Sequence, residues 1–155
     1  MVNSDLKTVG EAKVDFDGDF GKQYGIKKGV HVNEATGEVY APVAMWMESL
    51  DLVLSRLSSA MPTGLHNIKG ISGSGQQHGS VFWNAGSEEI LQGLNSKSSL
   101  VDQLAGCLAN EWSPNWQDQS TQNEADAFDG ELGDREKLAE STGSGAHHVC
   151  TARLL

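Results

Sequence analysis

A run of apolar side chains at helical spacing constrains the fold of this chain more than any other feature of its sequence. The apolar positions are Val43, Trp46, Met47, Leu50, Val53, Leu54 and Leu57. They follow the i, i+3, i+4, i+7 pattern of one helical face, and Pro42 suits the first turn of a helix. The sequence therefore predicts an amphipathic helix that begins near Pro42 and buries this face.

Two segments ahead of this helix alternate apolar and polar side chains, which is the pattern of a half-exposed strand. They are residues 12–16 and residues 28–32, and a Gly-containing turn precedes the second segment. A short hairpin of these two strands is therefore predicted.

The rest of the chain mixes predicted strands and helices. Strands are predicted at residues 67–72 and 80–83, and helices at residues 87–94, 98–108, 121–128 and 134–140. Ser87 is the expected N-cap of the first of these helices, and Ser98 or Ser99 that of the second. Because strands precede and alternate with helices, an α/β layer fold is favoured, and 155 residues are the size of one domain.

The charge of the chain excludes one class of partner. The formal net charge is −10, and a protein that neutralises phosphates needs a basic face, so nucleic acid is not an expected partner. No stretch approaches the ~18 apolar residues of a membrane span, and the N-terminal residues lack the apolar run of a signal peptide. We expect a cytoplasmic protein whose Cys107 and Cys150 are thiols.

The glycine-rich segment of residues 70–79, GISGSGQQHG, is the most informative part of the sequence. Glycines let the backbone approach a ligand closely, and two amides and an imidazole offer both donors and acceptors. This combination suits the hydroxyls of a sugar or polyol. A tight turn with solvated polar side chains remains an equal alternative. The segment matches neither a dinucleotide fingerprint nor a Walker A loop.

Two further clusters resemble metal sites, and neither predicts one. Residues 15–19, DFDGD, lack the glycine position and the bidentate Glu of a calcium loop, so an acidic turn is favoured. His147, His148 and Cys150 have no partner ligand at matching spacing. No metal site is expected in this chain.

An indole, an amide and a carboxylate follow Pro114 within four residues. Trp116 can stack on the C–H surface of a sugar, and Asp118 can hold hydroxyls, so the segment is a candidate second wall of the same pocket. The alternative is a core Trp116 beside Asp118 or Ser120 as a helix cap.

Taken together, residues 71–83 and residues 113–121 resemble the sugar-side motifs of eukaryotic xylulose kinases, which are members of the FGGY carbohydrate kinase family. Weaker resemblance extends through the flanking segments at residues 27–30, 41–46 and 142–148. The resemblance thus covers roughly residues 2 to 148.

This resemblance implies a ribonuclease-H-like fold of the actin-type ATPase class, with ATP and Mg²⁺ used to phosphorylate D-xylulose in the cleft between two domains. Residues 1–148 would be an incomplete N-terminal, sugar-side domain, and residues 149–155 a divergent tail. By the resemblance, His78 binds substrate with Gln77 beside it, and Trp116 and Asp118 are further candidates.

The sequence also departs from the family pattern. The family's phosphate-side strand would precede residue 1. After His148 the family continues with an Arg and then Phe-Thr-Gly, whereas this sequence does not. A frameshift or a misread splice junction is one hypothesis for this second difference. The catalytic Asp and the nucleotide-binding glycines belong to a second domain. We therefore expect no independent kinase activity and no tight binding of ATP or Mg²⁺. The alternatives are a non-catalytic sugar- or partner-binding module and an unrelated acidic scaffold.

Overall fold

The computed structural model describes residues 1–62, 64–75, 79–131 and 133–145. A π-helical turn at Phe16–Phe20 leads into the short helix α1 at Gly21–Tyr24. The remaining regular elements are the strands β1 (His31–Asn33), β2 (Glu38–Pro42) and β3 (Trp112–Pro114) and the helices α2 (Val43–Ala60), α3 (Ser87–Gln92), α4 (Leu100–Leu104), α5 (Gln122–Glu131) and α6 (Arg135–Thr142).

The three strands form an antiparallel sheet in the order β1-β2-β3. His31 pairs with Tyr40 in β2, and Tyr40 pairs in turn with Pro114 in β3. The turn between β1 and β2 closes where the Gly37 N–H donates to the Asn33 carbonyl at 2.8 Å. Gly37 has a φ of +75°, which a residue with a side chain adopts only at a cost, so glycine is needed here.

Helix α2 organises the core. Val43 and Met47 pack with Leu104, Cys107 and Leu108, whereas Met45, on another face of α2, packs with residues ahead of β1. Trp46 is half-buried and contacts all three apolar clusters of the described residues. The predicted helix is therefore confirmed, but its buried face differs from the predicted one. Leu50 and Leu54 of the predicted face are each 49% exposed, whereas Met45, which lies off that face, is fully buried. Trp46 lies where the three clusters meet.

The predicted hairpin of residues 12–16 and 28–32 is wrong. Residues 12–15 form no strand, and β1 pairs instead with β2. The reason is local, because the Asp15 carboxylate accepts the Gly18 N–H at 2.7 Å and thereby begins the π-helical turn. Short polar side chains that bind nearby backbone groups compete in this way with strand formation.

The strands predicted on either side of the glycine-rich run are also wrong. Residues 68–72 form no strand, and of residues 80–83 only Trp83 makes a bridge, to Leu108. Ile71 is 90% exposed, so the segment buries no apolar face that would hold it in a sheet.

The other predicted helices are confirmed, with shifted bounds. The expected N-cap Ser87 is wrong, because Gly86, which has no side chain, is the N-cap of α3. The Ser87 hydroxyl donates instead to the Asn84 and Cys107 carbonyls.

Ser99 is the N-cap of α4, since its hydroxyl accepts the Asp102 N–H at 3.2 Å. The helix ends at Leu104, ahead of the predicted end at Leu108, and continues as the 3₁₀ turn Ala105–Cys107. Mixed helix and strand is thus the observed class. Among the described residues, no helix is both long and apolar enough to span a membrane.

Candidate functional site

A cavity of about 620 Å³ lies between helix α2, the π-helical turn and the glycine-rich segment. Its described lining residues are Phe16, Trp46, Ser49, Gly75 and Gly79. The volume is within the range of ~300–1,000 Å³ that is usual for small-molecule sites. None of these five side chains carries a charge, so the described lining suits a neutral ligand.

Helix α2 supplies an aromatic and a polar group to the cavity. Trp46 and Ser49 are three residues apart and therefore share one face of the helix. The Ser49 side chain is buried, and its hydroxyl donates to the Met45 carbonyl at 2.6 Å. Because the hydroxyl proton is used in that bond, the Ser49 oxygen can still accept a hydrogen bond.

Phe16 lines the cavity from the acidic turn of residues 15–19. Both oxygens of the Asp17 carboxylate accept backbone N–H groups, from Lys28 at 2.6 Å and from Gly29 at 2.7 Å. We call this pair of hydrogen bonds the Asp17 clamp. Gly29 has a φ of +76°, and a Cβ built on it would lie 3.1 Å from Cδ2 of Phe16. The Phe16 ring therefore lies directly over the clamped turn.

The carboxylate of Asp19 connects the acidic turn to helix α2 through Arg56. Asp19 accepts two hydrogen bonds from the Arg56 guanidinium, at 2.6 and 2.8 Å, and one from the Asp15 N–H at 2.9 Å. The Arg56 bonds, followed by the Asp15 N–H, lower the pKa of Asp19 from 3.8 to about 2. Asp19 therefore remains ionised and paired at any pH near neutrality.

The three carboxylates of the acidic turn all accept hydrogen bonds within the described part of the chain. Asp15, Asp17 and Asp19 each bind a backbone N–H, and Asp19 also binds Arg56. The described residues contain no group of three or more His, Cys, Asp and Glu side chains placed to hold a metal ion.

The glycine-rich segment contributes backbone to the cavity at two positions, Gly75 and Gly79. A Cβ built on Gly75 would meet no heavy atom within 4 Å, so the backbone there is open. The predicted ligand-binding residues Gln77 and His78, with Gln76, lie outside the described residues. Their roles stay predictions.

The second predicted segment follows β3, and its two candidate residues differ in exposure. Trp116 is 53% exposed, so it is not a core residue, whereas Asp118 is only 3% exposed. Asp118 Oδ1 accepts hydrogen bonds from the Ser120 N–H at 2.8 Å and from the Ser120 hydroxyl at 2.6 Å. Neither Trp116 nor Asp118 is among the described lining residues of the cavity.

Sequence reasoning missed Phe16, Trp46 and Ser49 as lining residues. Trp46 was assigned to the buried face of the predicted helix, and it does contact the core as well. The available signal was the i, i+3 spacing of Trp46 and Ser49 on a helix that precedes the glycine-rich segment. Nothing in the sequence indicated Phe16, because its neighbour Asp17 binds a turn that lies 11 to 12 residues further along the chain.

The chain resembles fungal proteins named "Probable D-xylulose kinase A" over nearly its whole length. It is 54% identical to the one from Arthroderma otae over 149 residues, or 96% of this chain and 26% of the relative. It is 54% identical to the one from Aspergillus flavus and 53% identical to the one from Aspergillus terreus, each over 151 residues, or 97% of this chain and 26% of the relative. The chain thus spans about a quarter of the length of these curated relatives. No profile of a known protein family matches it.

Proposed function

Because the chain is a relative of fungal D-xylulose kinases over 96–97% of its length, we propose that it is the sugar-side segment of an FGGY carbohydrate kinase. Residues 1–148 would be part of an N-terminal domain of the ribonuclease-H-like, actin-type class, and residues 149–155 a divergent tail. The whole protein would transfer the terminal phosphoryl group of ATP to D-xylulose in the cytoplasm and form D-xylulose 5-phosphate.

One observation carries the proposal that this chain binds the sugar. Gly75 and Gly79, which border residues 76–78 in the sequence, line the same cavity as Trp46 and Ser49. A sugar needs donors and acceptors for its hydroxyls and an apolar surface for its C–H groups. An uncharged described lining supports a neutral sugar as the ligand.

We assign the sugar hydroxyls to His78 and Gln77, whose imidazole and amide can both donate and accept hydrogen bonds. Trp116 is the proposed contact of the second sugar-side segment, since an exposed indole is available for stacking. Asp118 belongs to the same segment, and its bonds to Ser120 support a role in shaping the loop that presents Trp116.

The chemistry of phosphoryl transfer is not assigned to these residues. It requires a base for the attacking hydroxyl, Mg²⁺ and donors around the phosphates. The described residues offer no cluster for a metal ion. We propose that ATP and Mg²⁺ bind the part of a whole kinase that this chain does not match, and that the isolated chain positions the sugar without phosphorylating it.

A chimeric enzyme tests this proposal. The matched segment of the Aspergillus flavus relative is replaced by this chain, and ADP formation is measured with and without D-xylulose. We expect activity within about tenfold of the parent relative, because the sugar side would be preserved. His78→Ala in the chimera is expected to raise KM for D-xylulose, whereas Leu54→Ala, at a half-exposed position on α2, serves as the matched control.

The same experiment separates the alternatives. A folded chimera without sugar-dependent ADP formation would contradict the kinase assignment and favour a non-catalytic binding module. An active chimera in which His78→Ala leaves KM unchanged would contradict the assignment of His78.

A further inference from the structure

We propose that Phe16 and Trp46 form an aromatic wall that packs against the C–H face of the bound sugar, and that Asp17 is the positioning residue that sets Phe16 in this wall. This inference rests on the proposed function, since it takes a neutral sugar as the occupant of the cavity. It adds to the sugar-side motifs two contacts and one positioning residue that those motifs do not contain.

The first support is the position of the two rings. Phe16 comes from the π-helical turn and Trp46 from helix α2, and both line the cavity that Gly75 and Gly79 border. The described lining thus combines two aromatic rings with the buried hydroxyl of Ser49. Sites for small polar molecules commonly pair apolar and aromatic walls with a few polar groups that fix orientation.

The second support is the rigidity of Trp46. Its side chain is half-buried and packs against three clusters, namely those that contain Val43, Met45 and Val39. A ring held by three clusters loses little freedom when a ligand packs on its open part. Preorganisation of this kind lowers the entropic cost of binding.

The third support is that burial does not account for the position of Phe16. Its side chain is 38% exposed, so it is not a core residue. Its position is set by the Asp17 clamp, which holds the turn at Lys28 and Gly29. The ring approaches Gly29 closely, and a Cβ built on Gly29 would lie 3.1 Å from Cδ2 of Phe16, so a side chain there would force the ring to shift.

Fluorine NMR of the four tryptophans tests the wall directly. The 155-residue chain is labelled with 5-fluorotryptophan, each resonance is assigned with a Trp→Phe variant, and D-xylulose is titrated. The Trp46 resonance is expected to shift saturably. The Trp112 resonance is the internal control, since Trp112 packs with His31 and Tyr40 outside the described lining of the cavity.

Substitutions then test Phe16 and Asp17. Phe16→Ala is expected to weaken D-xylulose binding about five- to tenfold, through the loss of the apolar contact. Phe16→Leu should weaken it less, and Leu54→Ala not at all. Asp17→Asn is expected to weaken binding as well. If Asp17 acts through Phe16, adding Asp17→Asn to Phe16→Ala has no further effect on Kd, which a merely structural role would not produce.

The outcomes separate this inference from the proposed function. If backbone amides shift saturably while the Trp46 resonance stays still and Phe16→Ala binds as the parent chain does, the aromatic wall is wrong and the proposed sugar binding stands. If additive losses are found for Asp17→Asn and Phe16→Ala, the positioning role of Asp17 is wrong. If no resonance shifts saturably, both the inference and sugar binding by this chain are overturned.

Discussion

The carboxylate of Asp17 accepts the backbone N–H of Gly29 at 2.7 Å, across twelve residues of chain, and in doing so fixes the turn on which the Phe16 ring lies. Arg56 holds the neighbouring Asp19 to helix α2. An acidic stretch that has the composition of a solvated turn therefore connects three parts of the structure. We infer that the geometry of the cavity depends on this connection.

The Asp17 clamp is expected to contribute measurably to stability. Asp17→Asn replaces one anionic acceptor oxygen by an amide NH₂ that faces a backbone donor, so the free energy of unfolding should fall by about 1 kcal/mol. Urea denaturation measures this change, with Asp5→Asn at an exposed position as the control. Equal stability of the two variants would show that the clamp is dispensable.

Two glycine substitutions are expected to act in opposite directions. Gly29→Ala places a Cβ at φ +76° and against Phe16, so it should lower the free energy of unfolding by about 1–2 kcal/mol. Gly130→Ala adds a methyl group in open space within α5, and it should raise stability by about 0.5–1 kcal/mol. Thermal unfolding of both variants checks the signs, and stabilisation by Gly29→Ala would contradict the strained turn.

The Asp19–Arg56 pair makes stability depend on acid pH. The pKa of Asp19 is about 2 in the folded chain, below its ordinary value of 3.8. Its contribution is therefore complete above the ordinary pKa and is lost as the pH falls from there through about 2. Arg56→Gln should raise the pKa of Asp19 towards the ordinary value. Carboxyl ¹³C NMR titration measures it, with Lys97→Gln as the control; an unchanged midpoint in Arg56→Gln would refute the pairing.

Substitutions of Trp116 and Asp118 are expected to affect different quantities, the affinity for D-xylulose and the free energy of unfolding respectively. Trp116→Ala removes an exposed side chain, so stability should change by no more than about 0.5 kcal/mol while the affinity for D-xylulose falls. Asp118→Ala removes a buried carboxylate that accepts two bonds from Ser120, and it should lower stability by about 1–3 kcal/mol. Denaturation measures stability, and a sugar titration measures affinity. If Trp116→Ala lowers only stability and Asp118→Ala lowers only affinity, then Asp118, and not Trp116, contacts the ligand.

The elements that were predicted correctly have either a long apolar pattern or a capping residue within the same few residues of sequence. Seven apolar positions at helical spacing predict α2, and Ser99 is followed three residues later by Asp102, whose N–H it caps. The helices near the C-terminal part of the described chain are similar, since Asp134 accepts the Lys137 N–H at 2.9 Å and begins α6. Local side-chain chemistry determines these boundaries, so a single sequence contains the information.

The elements that were missed depend on contacts between distant residues. Strand β3 joins β2 from about 70 residues away, a separation over which the alternation of a three-residue strand carries little information. The predicted strand at residues 12–16, by contrast, failed for a local reason, because the Asp15 carboxylate accepts the Gly18 N–H of its own turn. Only the bonds of Asp17 reach a later turn. The position of Phe16 in the cavity depends on these longer-range bonds and was therefore not predictable. For the glycine-rich segment, the composition indicated a ligand site, with a tight turn as the equal alternative.

The most direct test of the central claim is a titration of the purified chain with D-xylulose, followed by backbone amide NMR, beside the His78→Ala variant. We predict saturable shifts at Gly75, at Gly79 and at the residues of α2 that line the cavity. In His78→Ala these shifts should be lost, while the spectrum keeps the dispersion of a folded chain. A dispersed spectrum that does not respond to D-xylulose, or shifts that persist unchanged in His78→Ala, would contradict the claim that this chain holds the sugar through its glycine-rich segment.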